Sequence, residues 1–210
     1  MSNPNENLTT KDIIFHAAVE LFSQKGYHGT SIRDITRKVG IKESSLYNHY
    51  QGKEAILQAI LDFQMDVFNK AVEELDKLKV SDVDKITDPV EFWMAGTDVF
   101  LKTMPPLSEP ISRILINEMF LNPQCRRFYL NIMLKSQREL VKALFSSMRE
   151  KGMIGECDID KTACQYVCMV QGLEIENTLR AMEGENPDTI QKNLFEHITL
   201  FIRGMERSKK

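Results

Sequence analysis

Glu43-Ser44-Ser45-Leu46-Tyr47-Asn48-His49-Tyr50-Gln51-Gly52-Lys53 is a stretch with few core residues and many polar ones. Leu46 and Tyr50 can face a core. Ser44, Ser45, Tyr47, Asn48 and His49 are left pointing outward. A helix that only packs has no use for hydroxyl, amide and imidazole groups together on its open face. A helix lying in a DNA groove does, because those groups reach phosphate oxygens and base edges.

The residues upstream complete a two-helix unit. Ile32, Ile35 and Val39 recur at i, i+3, i+7, which is one apolar stripe on a short helix. Thr30 or Ser31 can cap its start. Asp34 follows Ser31 by three residues, as in a capping box. Gly40 stands where a helix stop is expected, and the next helix begins near Lys42. Two short helices around a glycine turn are the sequence form of a helix-turn-helix. A further helix precedes them, capped by Thr9 with Asp12 three residues on. Its apolar face is Ile14, Ala17, Ala18, Leu21 and Phe22, and Gly26 ends it. Residues 9–50 thus predict three helices around one small core, too small to be very stable alone. A helix starting near Lys53 is expected to brace it.

The run from Thr10 to Leu57 resembles the DNA-binding domain of the tetracycline-repressor (TetR) family of transcriptional regulators. The resemblance covers about 48 residues. It is carried by Ala17, Leu21-Phe22, Gly26-Tyr27, Thr30 to Ile35, Gly40-Ile41, Leu46-Tyr47, His49-Tyr50 and Lys53-Glu54. Thr36 departs from the usual Ala, Ser44 from a frequent Gly, and Tyr50 from a frequent Phe. Carried over residue by residue, the resemblance implies that Tyr47, His49 and Lys53 hold phosphates. It implies that Thr30, Ser31 and Arg33 touch the flanking backbone. Lys42, Ser44, Ser45 and Asn48 become the candidates for base contacts, with Lys42 suited to guanine and Asn48 to adenine.

Charge alone does not suggest DNA. The 210-residue chain carries a net charge of -3. Residues 1–55 hold seven Lys/Arg and six Asp/Glu, a balance of +1. Placement says more, since Arg33, Arg37, Lys38, Lys42 and Lys53 cluster around the reading helix. No apolar run approaches the ~18 residues of a membrane span, and the polar start lacks the order of a signal peptide. These features predict a cytosolic protein with no membrane role. Cys125, Cys157, Cys164 and Cys168 show no CxxC pair or metal-finger spacing, although Cys164 and Cys168 share a helix face. No cofactor or metal is expected. No phosphate loop, HExxH, GxSxG or paired-carboxylate pattern appears, which disfavours an enzyme.

The fold class expected is all-α. Residues 1–53 form the helix-turn-helix domain, and residues 54–210 a helical ligand-binding and dimerisation domain, about nine helices in all. The fourth helix should run from Lys53 to Leu78, followed by an acidic connection from Ser81 to Pro89. Segments near 89–104 and 109–121 follow. A long helix opens at Pro123, and two final helices run to Met182 and to Glu206.

Two stripes mark these last helices: Ala163, Tyr166, Val167, Val170 and Leu173, then Ile190, Leu194, Ile198, Phe201 and Met205. Such stripes can face the chain's own core. The resemblance implies instead a homodimer through the final helices, with Val170, Leu194, Ile198, Phe201 and Met205 at the interface, matched to a near-palindromic operator on double-stranded DNA. The middle region is dense in aromatic and Met side chains and suits a small apolar ligand of unknown identity. Trp93, Phe120, Tyr129, Tyr166 and Met169 are the expected walls, and Asn177 the polar anchor. Gln171 and Glu174 are further polar groups beside that stripe. The function expected is a ligand-responsive repressor. The alternative is a DNA-binding protein of the same fold whose C-terminal domain binds a protein partner and no small molecule.

Overall fold

The structure, a computed structural model, describes residues 8–78 and 86–206. All regular elements among them are helical, apart from a single bridge between Ile154 and Glu206. In chain order they are α1 (Thr10–Lys25), α2 (Ile32–Val39), α3 (Glu43–Tyr47), α4 (Lys53–Leu78), α5 (Pro89–Thr103), α6 (Ser108–Glu118) and α7 (Pro123–Phe128). A π-helical stretch (Tyr129–Ser136) then leads into α8 (Gln137–Glu150), α9 (Ile159–Met182) and α10 (Pro187–Gly204). Residues 81–85, the core of the expected acidic connection, lie outside the described residues. No described helix is long and apolar enough to cross a membrane.

The chain forms two compact units. The first comprises residues up to Asn69 together with Met104–Phe128, and the second comprises Lys70–Thr103 and Tyr129 onward. In the first unit both expected capping boxes form. Thr9 accepts the Asp12 N–H while Asp12 accepts the Thr9 N–H, and Ser31 and Asp34 do the same at α2. Each box satisfies two amide donors that a helix start leaves unpaired. The Thr9 and Ser31 hydroxyls, donating to Asp12 and Asp34 at 2.6 and 2.5 Å, and next the backbone bonds hold these two carboxyls below the usual carboxylate range. Gly40 closes α2 in the left-handed region, at φ 79° and ψ 29°, where a side chain is disfavoured. Gly29 is required for another reason. A Cβ there would lie 2.3 Å from the Lys25 carbonyl oxygen.

Ile14, Ala18, Phe22, Ile35 and Leu46 are buried, as are Ile56, Leu57 and Ile60 of α4. Helix α6 packs on α1 in the same unit and adds Ile111, Ile114 and Leu115 to its buried residues. Thr36 is buried, and its hydroxyl donates to the Arg33 carbonyl at 3.2 Å, so the extra polar atom is satisfied within α2.

The second unit is built around Trp93, Phe145, Met148, Tyr166, Val167, Ile198 and Ile202. The Trp93 indole donates to the Tyr166 hydroxyl at 2.8 Å, and the two rings meet edge to face at 4.7 Å. Burial pushes the Tyr166 phenol far up. The residues expected at the dimer face also contact this unit's core. Ile198 is buried in this protomer's own core, and Val170, Leu194, Phe201 and Met205 pack against it. Phe201 stacks on Phe145 at 6.4 Å and meets Tyr166 edge-on at 5.4 Å. From Leu194 to Met205 the stripe thus contacts this protomer's own core, with Leu194, Phe201 and Met205 only partly buried. The large apolar side chains left open in this unit include Leu200 on α10 (72 % exposed), Leu179 and Met182 at the end of α9 (58 % each), and Leu130 and Leu101.

Candidate nucleic-acid interface

Helix α3 is only five residues long, shorter than the sequence suggested, and ends at Tyr47. Leu46 is fully buried and Tyr50 nearly so, and these two side chains fasten the segment. Between and around them Lys42, Ser44, Tyr47, Asn48 and His49 are exposed, with Ser45 half-buried. Tyr47 keeps 53 % of its surface open, a large ring with nothing to gain from that position in the isolated chain. The face is thus polar, aromatic and acidic at one residue only, Glu43.

The surrounding cations are mostly paired. Arg33 Nε donates to Glu43 Oε1 at 2.9 Å, Lys38 Nζ to Glu20 Oε1 at 2.6 Å, and Arg37 lies 3.7 Å from Asp34. Lys42 makes no ion pair among the described residues. Ser31 is exposed at the start of α2, with its hydroxyl committed to the capping box.

Two expected contacts change character. Thr30 is buried (1 % exposed), and its hydroxyl donates to the carbonyls of Leu21 at 3.2 Å and Gly26 at 2.9 Å. Its side chain is a strut of the α1–α2 turn and does not reach the surface, which corrects the expectation that it touches DNA. Lys53 donates to the carbonyls of Tyr27 at 2.7 Å and Thr30 at 2.9 Å, and its ammonium sits 4.3 Å from the centre of the Tyr27 ring. Desolvation lowers its affinity for the proton, against the pull of Glu118. Two of its three N–H groups are spent inside the unit, leaving one for a phosphate.

Glu118 was not anticipated from the sequence. It ends α6, is 4 % exposed, and its Oε1 accepts the Tyr27 N–H at 2.9 Å, across 91 residues of chain. Its other oxygen is buried without a donor. A carboxylate beside Asn117, between the apolar residues Ile114 to Ile116 and Met119-Phe120, was the available signal. The turn preceding α2 is therefore clamped from both sides, by Glu118 on the N–H of Tyr27 and by Lys53 on its carbonyl.

The expected ligand walls fall in different places. Phe120 belongs to the first unit and is 75 % exposed, so it walls nothing there. Trp93, Tyr166 and Met169 lie in or against the core of the second unit, and the Tyr129 hydroxyl bonds to Gln171 Oε1 at 2.8 Å. Asn177 Oδ1 is buried without a donor.

Residues 14–60 match the family described as "Bacterial regulatory proteins, tetR family". Over that segment the chain is similar to the TetR family. The negative transcriptional regulator IcaR of the biofilm operon icaADBC in Staphylococcus epidermidis is 54 % identical over 46 residues, 22 % of this chain and 25 % of the relative. IcaR of Staphylococcus aureus strain Newman is 40 % identical over 62 residues, 30 % and 33 % of the two chains. The matched segments thus span a quarter to a third of these curated relatives. Solved structures extend the likeness of fold to nearly the whole chain. A TetR-family regulator from Cytophaga hutchinsonii superposes with TM-score 0.67 at 18 % identity, covering 97 % of this chain and 100 % of the other. The ketosteroid transcriptional regulator KstR2 of Mycobacterium tuberculosis gives 0.62 at 17 %, covering 97 % and 98 %.

Proposed function

We propose that this protein is a DNA-binding transcriptional repressor of the TetR family that binds a near-palindromic operator as a homodimer and is released by a small molecule. The observation that carries the reading is the open polar face of α3, held by buried Leu46 and Tyr50. Residues 1–53 read the DNA, and residues 54–210 bind the effector and the second copy. Tyr47, His49 and the remaining N–H of Lys53 hold phosphates. Ser31 and Arg33 flank them at the start of α2, where the helix dipole favours an anion. Lys42, Ser44, Ser45 and Asn48 face the bases. The sense of regulation follows the relatives, which are negative regulators.

The second copy docks on the outer face of α10 and the end of α9, where Leu179, Met182, Phe195 and Leu200 offer apolar surface. Two reading helices must lie about one DNA turn apart, roughly 34–36 Å. Helix α4, unbroken from Lys53 to Leu78, carries the effector's signal to that spacing. The test is a gel shift with DNA from upstream of the protein's own gene, using wild type and Tyr47→Ala. Specific binding by wild type and its loss in the variant is the expected result. Equal binding by both would overturn the assignment of α3.

A further inference from the structure

Inside the second unit, Gln171 organises a chain of polar groups. It is 6 % exposed on α9. Its Oε1 accepts the Tyr129 hydroxyl at 2.8 Å, and its Nε2 donates to Gln137 Oε1 and to Glu174 Oε2, each at 3.1 Å. Both amide hydrogens are then used. Glu174 has no ion pair among the described residues. The guanidinium of Arg138, beside Gln137 in sequence, turns to Cys168 Sγ at 3.9 Å. Asn177, three residues beyond Glu174 and so on the same helix face, buries Oδ1 with no donor.

Asn177 Oδ1 thus lacks a donor, and the Glu174 carboxylate is bonded only through Gln171 among the described residues. The Tyr129 hydroxyl is committed to Gln171 and the Trp93 indole to Tyr166, while Arg138 spends its guanidinium on Cys168 and buries Nε without a partner. Burial raises the Glu174 carboxyl to about 7, against the lowering effect of the Gln171 bond. The same carboxylate acts on the phenols of Tyr129 and Tyr166, so two aromatic rings lie within its field. A carboxylate, an unpaired amide oxygen and aromatic rings suit a ligand with several N–H donors, a positive charge and an apolar body.

We propose that Glu174 and Asn177 recognise an organic cation, an aryl or alkyl ammonium or amidinium, and that this is the effector class of the protein. Glu174 pairs with the charge, Asn177 accepts a second N–H, and the rings flank the apolar part. The effector role rests on the repressor reading above; the binding site does not.

Benzamidine is the probe, and benzamide, its neutral near-isostere, is the control. Trp93 is the single tryptophan of the chain and reports binding by fluorescence. In the full-length protein benzamidine should bind saturably. Glu174→Gln should weaken it at least tenfold, Asn177→Ala by a smaller factor, and neither should alter the response to benzamide. Glu174→Gln is nearly isosteric, and its circular dichroism and thermal midpoint establish that it folds. Equal benzamidine binding by wild type and Glu174→Gln would overturn the proposal, as would no saturable binding to wild type. If benzamidine binds through Glu174 yet leaves operator affinity unchanged, the site stands and its effector role fails. If a neutral apolar compound releases the operator from both wild type and Glu174→Gln, ligand-responsive repression stands and the cation as effector fails.

Discussion

Lys53 and Tyr47 were both expected to hold phosphates, but the structure gives them different work. Tyr47 is half-exposed and contributes little to the fold, whereas Lys53 ties two carbonyls of the α1–α2 turn. Tyr47→Ala should therefore lower DNA affinity for all sequences and leave thermal stability within about 0.5 kcal/mol of wild type. Lys53→Ala should lower both, with a stability loss of about 2 kcal/mol from two charge-assisted bonds to carbonyls. Calorimetry beside a binding titration separates them, and equal stabilities of the two variants would refute the strut. Glu174 gives a second contrast. Its folded pKa of about 7 lies above the ordinary carboxyl value, so the native state binds the proton more tightly than the unfolded chain. Its burden on stability is thus absent below about pH 4.5, grows between there and pH 7, and is fully present above. Glu174→Gln should raise the melting midpoint at pH 8, by up to about 3 kcal/mol of stability, and have little effect at pH 4.5. An identical gain at both pH values would contradict this. The residue roles legible beforehand were those set by local geometry. Ser31 as a cap and Gly40 as a stop depend on neighbours within four positions. Glu118 on Tyr27 depends on a contact 91 residues distant, which no local pattern announces.

At the level of elements, α4 was legible from Lys53 to Leu78 because a long apolar repeat and its flanks agree. Helix α3 was less so. Its exposed polar residues gave the character of the face, but five residues carry too little periodicity to fix where the helix ends. The final helix shows where the limit lies. The spacing of Ile190, Leu194, Ile198, Phe201 and Met205 fixes one face, yet an amphipathic stripe does not say which apolar surface it meets. In the structure that surface is Phe145, Tyr166 and their neighbours within the protomer. The consequence is a pair of variants on adjacent residues. Phe201→Glu buries a charge in the core and should unfold the second unit, at about 3–5 kcal/mol. Leu200→Glu lies on the open face and should leave monomer stability nearly unchanged while abolishing the proposed dimer. Analytical ultracentrifugation with thermal melts distinguishes them. A Leu200→Glu protein still dimeric at micromolar concentration would place the second copy elsewhere.

For the molecule as a whole, the clamp on Tyr27 links α6 to the turn that positions α2. Glu118→Ala leaves the buried Tyr27 N–H without its acceptor and should cost about 1–3 kcal/mol. Glu118→Gln keeps an acceptor oxygen and should retain stability close to wild type. If Ala and Gln behaved alike in melting and in operator titrations, the bond would hold nothing in place. The pairing of cations near α3 has an outcome for how a regulator finds its site. Arg33, Arg37 and Lys38 are each matched with a carboxylate before any DNA arrives, and the chain as a whole is negative. A duplex of arbitrary sequence is held by phosphate neutralisation, at roughly 0.9 released counterions per phosphate contacted. A protein that has paired most of its own cations offers fewer such contacts, so the salt dependence should be limited to about two to four counterions per subunit. It should spend little time parked on the rest of the chromosome. Few copies per cell would then suffice to keep one operator occupied, and a modest effector-induced loss of affinity would clear it without first emptying a reservoir of bystander DNA.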